Sequence, residues 1–164
     1  MRKQQKGFSL IELLIVVAII LIIAAIAIPN LIRSKIAANE ASAVASCRTI
    51  NTAEIVYSST YNTTTVFSPS LSALADGGAP ANCGGTTVVP TSTAACLIDA
   101  ALAGATTTAK SGYVFTYTPA TGSYAVTGGP TALNSTGVRY FYTDQTAVIR
   151  QNSGAAATNT SSPI

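Results

Sequence analysis

The chain has 164 residues, with nine basic and six acidic side chains, no histidine and no tryptophan. Charged residues make up only 9% of it, against a usual quarter, which leaves length for one ordinary domain and an apolar anchor. Arg2, Lys3 and Lys6 precede Gly7, and from Phe8 onward six basic residues balance six acidic ones. A balanced body lacks the basic face that nucleic-acid binding requires, so no nucleic-acid partner is expected. The missing histidine removes the commonest general base and metal ligand, and no cofactor or metal is expected.

The basic residues of 1–7 suit contact with anionic lipid or a cytoplasmic N-terminus. Leu13 to Ile28 is sixteen apolar residues without a break. With Phe8–Glu12 included, twenty-one residues contain only Ser9 and Glu12 as polar members. As a helix this spans about 31 Å, close to the hydrocarbon thickness of a bilayer. A cleaved secretory signal fits the basic start less well. The run is too long, no A-x-A site ends it, and Glu12 falls where such a signal is most apolar. A carboxylate inside a membrane segment costs roughly 2.5–3.5 kcal/mol when ionised at the centre, so Glu12 needs a partner.

Gly7-Phe8-Ser9-Leu10-Ile11-Glu12, behind a short basic leader and ahead of an apolar run ending near Pro29, resembles the N-terminus of the type IV pilin family. That family includes the pseudopilins of type II secretion and competence systems. The resemblance implies cleavage after Gly7 by a prepilin peptidase and methylation of the new amino group of Phe8. It also implies an assembly role for Glu12. The residues agree: a neighbour's Phe8 ammonium at the same depth would pair with the Glu12 carboxylate and set axial register.

Pro29 removes a helical donor and predicts a kink. Leu31–Ala41 has no glycine or proline, so the helix is expected to continue to about Tyr57–Tyr61. Ile32, Ile36, Ala43, Cys47, Ile50 and Tyr57 recur at sums of three and four and form one apolar stripe. Arg33, Lys35, Asn39, Asn51 and Ser58 fall largely off it. The stripe predicts that this half of the helix is the spine of a head.

The head begins with loop sequence, including Ala75-Asp76-Gly77-Gly78-Ala79-Pro80 and Cys83-Gly84-Gly85. Short helices are expected at Pro69–Leu74 and Ala95–Leu102, with Asp99 a surface charge. Alternation at Tyr113–Thr118, a turn at Pro119–Gly122 and a strand at Ser123–Thr127 read as one hairpin. Arg139–Thr143 and Ala147–Arg150, joined by Asp144-Gln145-Thr146, read as a second. The expected fold class is α+β, a long helix packed by its second half on a four-stranded antiparallel sheet; the resemblance implies the same. Residues 152–164 read as a mobile polar tail. The expected organisation is leader 1–7, membrane and polymerisation helix 8–30, head 31–151 and tail 152–164.

Cys83 and Cys96 enclose twelve loop residues. In an exported head a disulfide there would contribute about 3 kcal/mol by loop closure. Cys47, on the helix stripe, reads as a buried free thiol; its pairing with either loop cysteine is the alternative. Asp144 in its turn is a weak calcium cage. Asn62, Asn134 and Asn159 open glycosylation sequons of a kind that arises by chance in a chain this rich in Ser and Thr.

The resulting expectation is a structural subunit, not an enzyme. It would sit single-pass in a bacterial inner membrane with a cytoplasmic N-terminus, then enter a helical homopolymer outside the cell. Its partners would be its own copies, the prepilin peptidase and methyltransferase, the inner-membrane assembly machinery and, before assembly, lipid. A periplasmic pseudopilin, a minor pilin and a membrane-anchored domain that never polymerises remain as alternatives.

Overall fold

The computed structural model describes residues 8–61, 66–78, 83 and 89–164. The expected loop residues at 79–80 and 84–85, and the Asn62 sequon, lie outside them. The chain divides into two compact units, Met1–Lys35 and Ile36–Ile164.

The first helix, α1, is Leu10–Tyr61, 52 residues long. It passes through Pro29 without interruption. Proline costs the Ala25 carbonyl its helical donor. The next carbonyl along, that of Ile26, accepts the Asn30 side-chain amide at 3.1 Å. Ser34 Oγ donates to the Asn30 carbonyl at 3.0 Å. Side-chain donors thus supplement the ladder where it is weakest.

In the first unit the apolar side chains of α1 are exposed: Leu10 is 80% accessible and Ile26 67%. This is the one described helix long and apolar enough to cross a membrane.

In the second unit the helix has one buried face. Ala43, Cys47, Ile50, Ala53 and Tyr57 recur at three and four residues and are buried, as a helix laid on a sheet requires. Ile32 is exposed instead, so the buried part of the expected stripe begins later. Facing residues come from β1 (Tyr113–Ala120), β2 (Ser123–Pro130) and β3 (Arg139–Asp144). They are Tyr113, Phe115, Tyr124, Val126 and Phe141, which form one core cluster with the helix residues. Each such side chain contributes roughly 1.5–3 kcal/mol by burial. Phe115 lies opposite Gly128. A Cβ at Gly128 would come within 2.9 Å of the Phe115 ring, so glycine makes room for it.

The sheet is antiparallel with strands in the order β1-β2-β3-β4-β5, where β4 is Arg150–Ser153 and β5 is Ser162–Pro163. The fold is α+β, with five strands rather than four. The expected strand at Ala147–Arg150 begins only at Arg150. Asp144 Oδ1 accepts Thr146 N–H at 2.9 Å and Ala147 has φ of 59°, a turn geometry that no strand can continue. Residues 152–164, expected as a mobile tail, return to the sheet instead. Ile164 N–H donates to the Ile149 carbonyl at 3.0 Å, Arg150 Nη1 donates to the Ser161 carbonyl at 3.1 Å, and Ala157 is buried. The outer edge of β4 would otherwise be unpaired, and this segment takes it.

The short helices are α2 (Leu71–Leu74), capped by Ser70, and α3 (Ala100–Ala103), capped by Asp99. The helix expected from Ala95 starts later because Ala95, Cys96 and Leu97 donate their N–H groups to Ala73, Ala75 and Leu74. Asp99 is therefore more than a surface charge: it caps α3 and pairs with Lys110 at 2.9 Å.

Candidate functional site

The residues singled out in the sequence occupy two places. Gly7 lies outside the described residues. Phe8 is 85% exposed and, like Ser9, precedes the helix, which begins at Leu10. Glu12 Oε2 accepts the Ser9 N–H at 2.9 Å. This is half of a capping box: the acid at the third helical position satisfies an N–H that the helix cannot. The signal is Ser9-Leu10-Ile11-Glu12, an S-x-x-E pattern directly ahead of an apolar run. One carboxylate oxygen is thus committed to its own helix, and Oε1 makes no hydrogen bond among the described residues. Pro29 lies within α1.

Cys83 and Cys96 form a disulfide with a Cα–Cα distance of 5.6 Å. Cys47 is free and fully buried, and burial pushes its thiol up to about 12. The alternative pairing through Cys47 is thereby excluded.

Three polar side chains fasten α1 to the head: Glu40 and Glu54, which sequence reasoning left out, and Asn51, which was expected off the buried stripe but is only 5% exposed because it bonds to the sheet. Glu40, 6% exposed, accepts the Val138 and Arg139 N–H groups at 2.9 and 3.1 Å and Arg139 Nε at 2.7 Å. Burial by itself raises its carboxyl; these hydrogen bonds and the Arg139 charge outweigh it and hold the carboxyl below its ordinary value. Asn51 Nδ2 donates to Thr143 Oγ1 at 2.9 Å, and Tyr124 Oη donates to Asn51 Oδ1 at 3.0 Å. Glu54, fully buried, accepts Ser68 N–H at 3.0 Å and Tyr117 Oη at 2.6 Å. Burial and the neighbouring Glu54 push the Tyr117 hydroxyl well above its ordinary range.

A usable signal existed here too. The expected stripe skipped from Ile36 to Ala43 and from Ile50 to Tyr57, seven residues each time. Glu40 and Glu54 fill those gaps. An acid at a stripe position marks a buried, bonded carboxylate rather than a break in the stripe.

Among the described residues no three His, Cys, Asp or Glu side chains come together as a metal site. Asp144, the weak calcium candidate, spends Oδ1 on Thr146.

A family described as the prokaryotic N-terminal methylation motif matches residues 2–28. Over 38 residues the chain is 58% identical to the type IV wide pilus major component PilA4 of Thermus thermophilus. That match covers 23% of this chain and 29% of the relative, so the chain spans under a third of the relative's length. No solved structure matches. Over its N-terminal segment the chain carries the methylation motif and is similar to a type IV pilin, and that segment opens a helix whose second half lies on an antiparallel sheet.

Proposed function

We propose that the chain is a prepilin, a structural subunit of a type IV pilus. The observation that carries this reading is one helix with two kinds of surface. From Leu10 to Ile28 its large apolar side chains are exposed. From Glu40 to Tyr57 the same helix is fastened to a sheet by a core and three buried polar groups. The open half needs either lipid or other copies of itself to cover it. A subunit that is stored in a membrane and later bundled with its copies uses both covers in turn.

In this reading the inner membrane holds the chain with its N-terminus in the cytoplasm. The peptidase cuts after Gly7, which removes three cations and creates an ammonium at Phe8. That amine is methylated, and the assembly machinery adds the subunit to a helical homopolymer outside the cell. Glu12 Oε1 meets a neighbour's Phe8 ammonium at the same depth, while Oε2 keeps the Ser9 N–H. Two desolvated charges are relieved together and the axial register is set.

The test is Glu12→Ala in the cell that makes the fibres. Cleavage after Gly7 is expected to persist. Fibre yield should fall at least roughly tenfold, because stranding one member of a desolvated pair costs on the order of 3 kcal/mol. Full fibre yield from this variant contradicts the pairing. Cleaved natural subunit that never reaches the surface would point to a periplasmic pseudopilus instead.

A further inference from the structure

We propose that Arg33 and Lys35 form a collar that binds anionic phospholipid headgroups at the end of the membrane segment. The inference rests on the membrane storage proposed above. After Glu12 the next charged residue is Arg33, directly behind Leu31 and Ile32. Leu31 is 70% and Ile32 47% exposed, so apolar surface runs up to the two cations. Both cations are exposed and neither makes a hydrogen bond or ion pair among the described residues. The neighbouring polar groups do not engage them: Asn30 and Ser34 donate back to helix carbonyls.

Most acids of the protein are withdrawn from solvent or already paired. Glu40, Glu54, Asp76 and Asp144 are buried, and Asp99 is paired with Lys110. Glu12 is twenty-one residues from Arg33, about 31 Å along the helix and at the far end of the apolar run. A second copy whose membrane segment lies at the same depth therefore brings no carboxylate of that segment to the collar. The anion at an apolar–polar boundary is the lipid phosphate. Arg33 presents a planar fork that matches phosphate, and Lys35 a point charge on a stem long enough to reach the headgroup layer. Two residues apart, the side chains leave the helix about 200° from one another. They take separate headgroups on opposite sides. Cleavage after Gly7 removes Arg2, Lys3 and Lys6, so this collar is the cationic boundary the stored subunit retains.

The chain has no tryptophan, so Leu31→Trp supplies a single indole at the collar. The full chain carrying it is reconstituted into vesicles of equal parts phosphatidylcholine and phosphatidylglycerol. One lipid or the other is brominated in its acyl chains, and indole quenching is read. Quenching should favour brominated phosphatidylglycerol by roughly fivefold or more. Adding Arg33→Gln and Lys35→Gln should bring that preference to about one, with quenching undiminished when both lipids are brominated. Equal quenching by the two lipids with the collar intact overturns the proposal. Absence of quenching by either lipid places Leu31 outside the bilayer, which overturns the anchoring and the collar with it.

Discussion

Arg139→Met probes how α1 is held to the head. The guanidinium donates from Nε to Glu40 at 2.7 Å and from Nη1 to Gln151 Oε1 at 2.7 Å, and lies 5.6 Å from the Phe141 ring centre. Methionine keeps much of the aliphatic stem and removes the charge. Glu40 retains the two N–H groups of residues 138 and 139 but loses its cation while only 6% exposed. Breaking a fully buried pair costs roughly 3–5 kcal/mol. The Arg139 side chain is 38% exposed, and that access to solvent brings the expectation to about 2 kcal/mol.

For a head of this size that is a fall in Tm of about 4–8 °C. The assay is thermal unfolding of the full chain in detergent, followed by near-ultraviolet circular dichroism of the tyrosines. The difference should also depend on pH. Glu40 has a folded pKa below its unfolded one. Its contribution is therefore complete above the unfolded value of roughly 4.3 and is lost as pH falls through the folded value. The gap between natural chain and variant should be full at pH 7 and shrink as the pH falls below roughly 4.3. A variant within about 1 °C of the natural chain at pH 7, or a gap that does not shrink on acidification, refutes the reasoning.

Two further predictions concern the core. A Cβ at Gly137 would lie 2.1 Å from Tyr113 Oη, whose ring is fully buried and whose hydroxyl donates to the Arg139 carbonyl at 2.8 Å. Gly137→Ala should therefore cost at least about 2 kcal/mol in denaturant unfolding, and a neutral result would contradict the packing around Tyr113. Cys47, buried with its thiol pushed up to about 12, should resist alkylation at pH 8 until the head unfolds. Rapid labelling of the native protein would show that the helix–sheet core opens.

The apolar first half of α1 was legible because an unbroken apolar run is a local signal that needs no tertiary context. The alternation of Tyr113, Phe115 and Tyr117 likewise announced β1, and the three-and-four spacing of Ala43, Cys47 and Ile50 announced the face of α1. What escaped depends on distant partners. The positions of Glu40 and Glu54 in the stripe hint at burial, but their partners Arg139, Ser68 and Tyr117 arrive from 14 to 99 residues away and no local rule names them. The 152–164 segment is small and polar, and no local rule marks it as a strand. It pairs because β4 presents an open edge, a property of the assembled sheet. The delayed start of β4 is intermediate: Asp144 two residues before Thr146 is a recognisable turn signal, but the left-handed Ala147 is not.

The central claim is that this chain is cut and polymerised. Surface fibres should be sheared from the cells, pelleted and digested, and the N-terminal peptide identified by mass spectrometry. The account predicts a peptide that begins at Phe8 and is heavier by one methyl group, from fibres made of this chain. Fibres whose subunit begins at Met1, or cells whose chain remains uncut in the membrane, would contradict it.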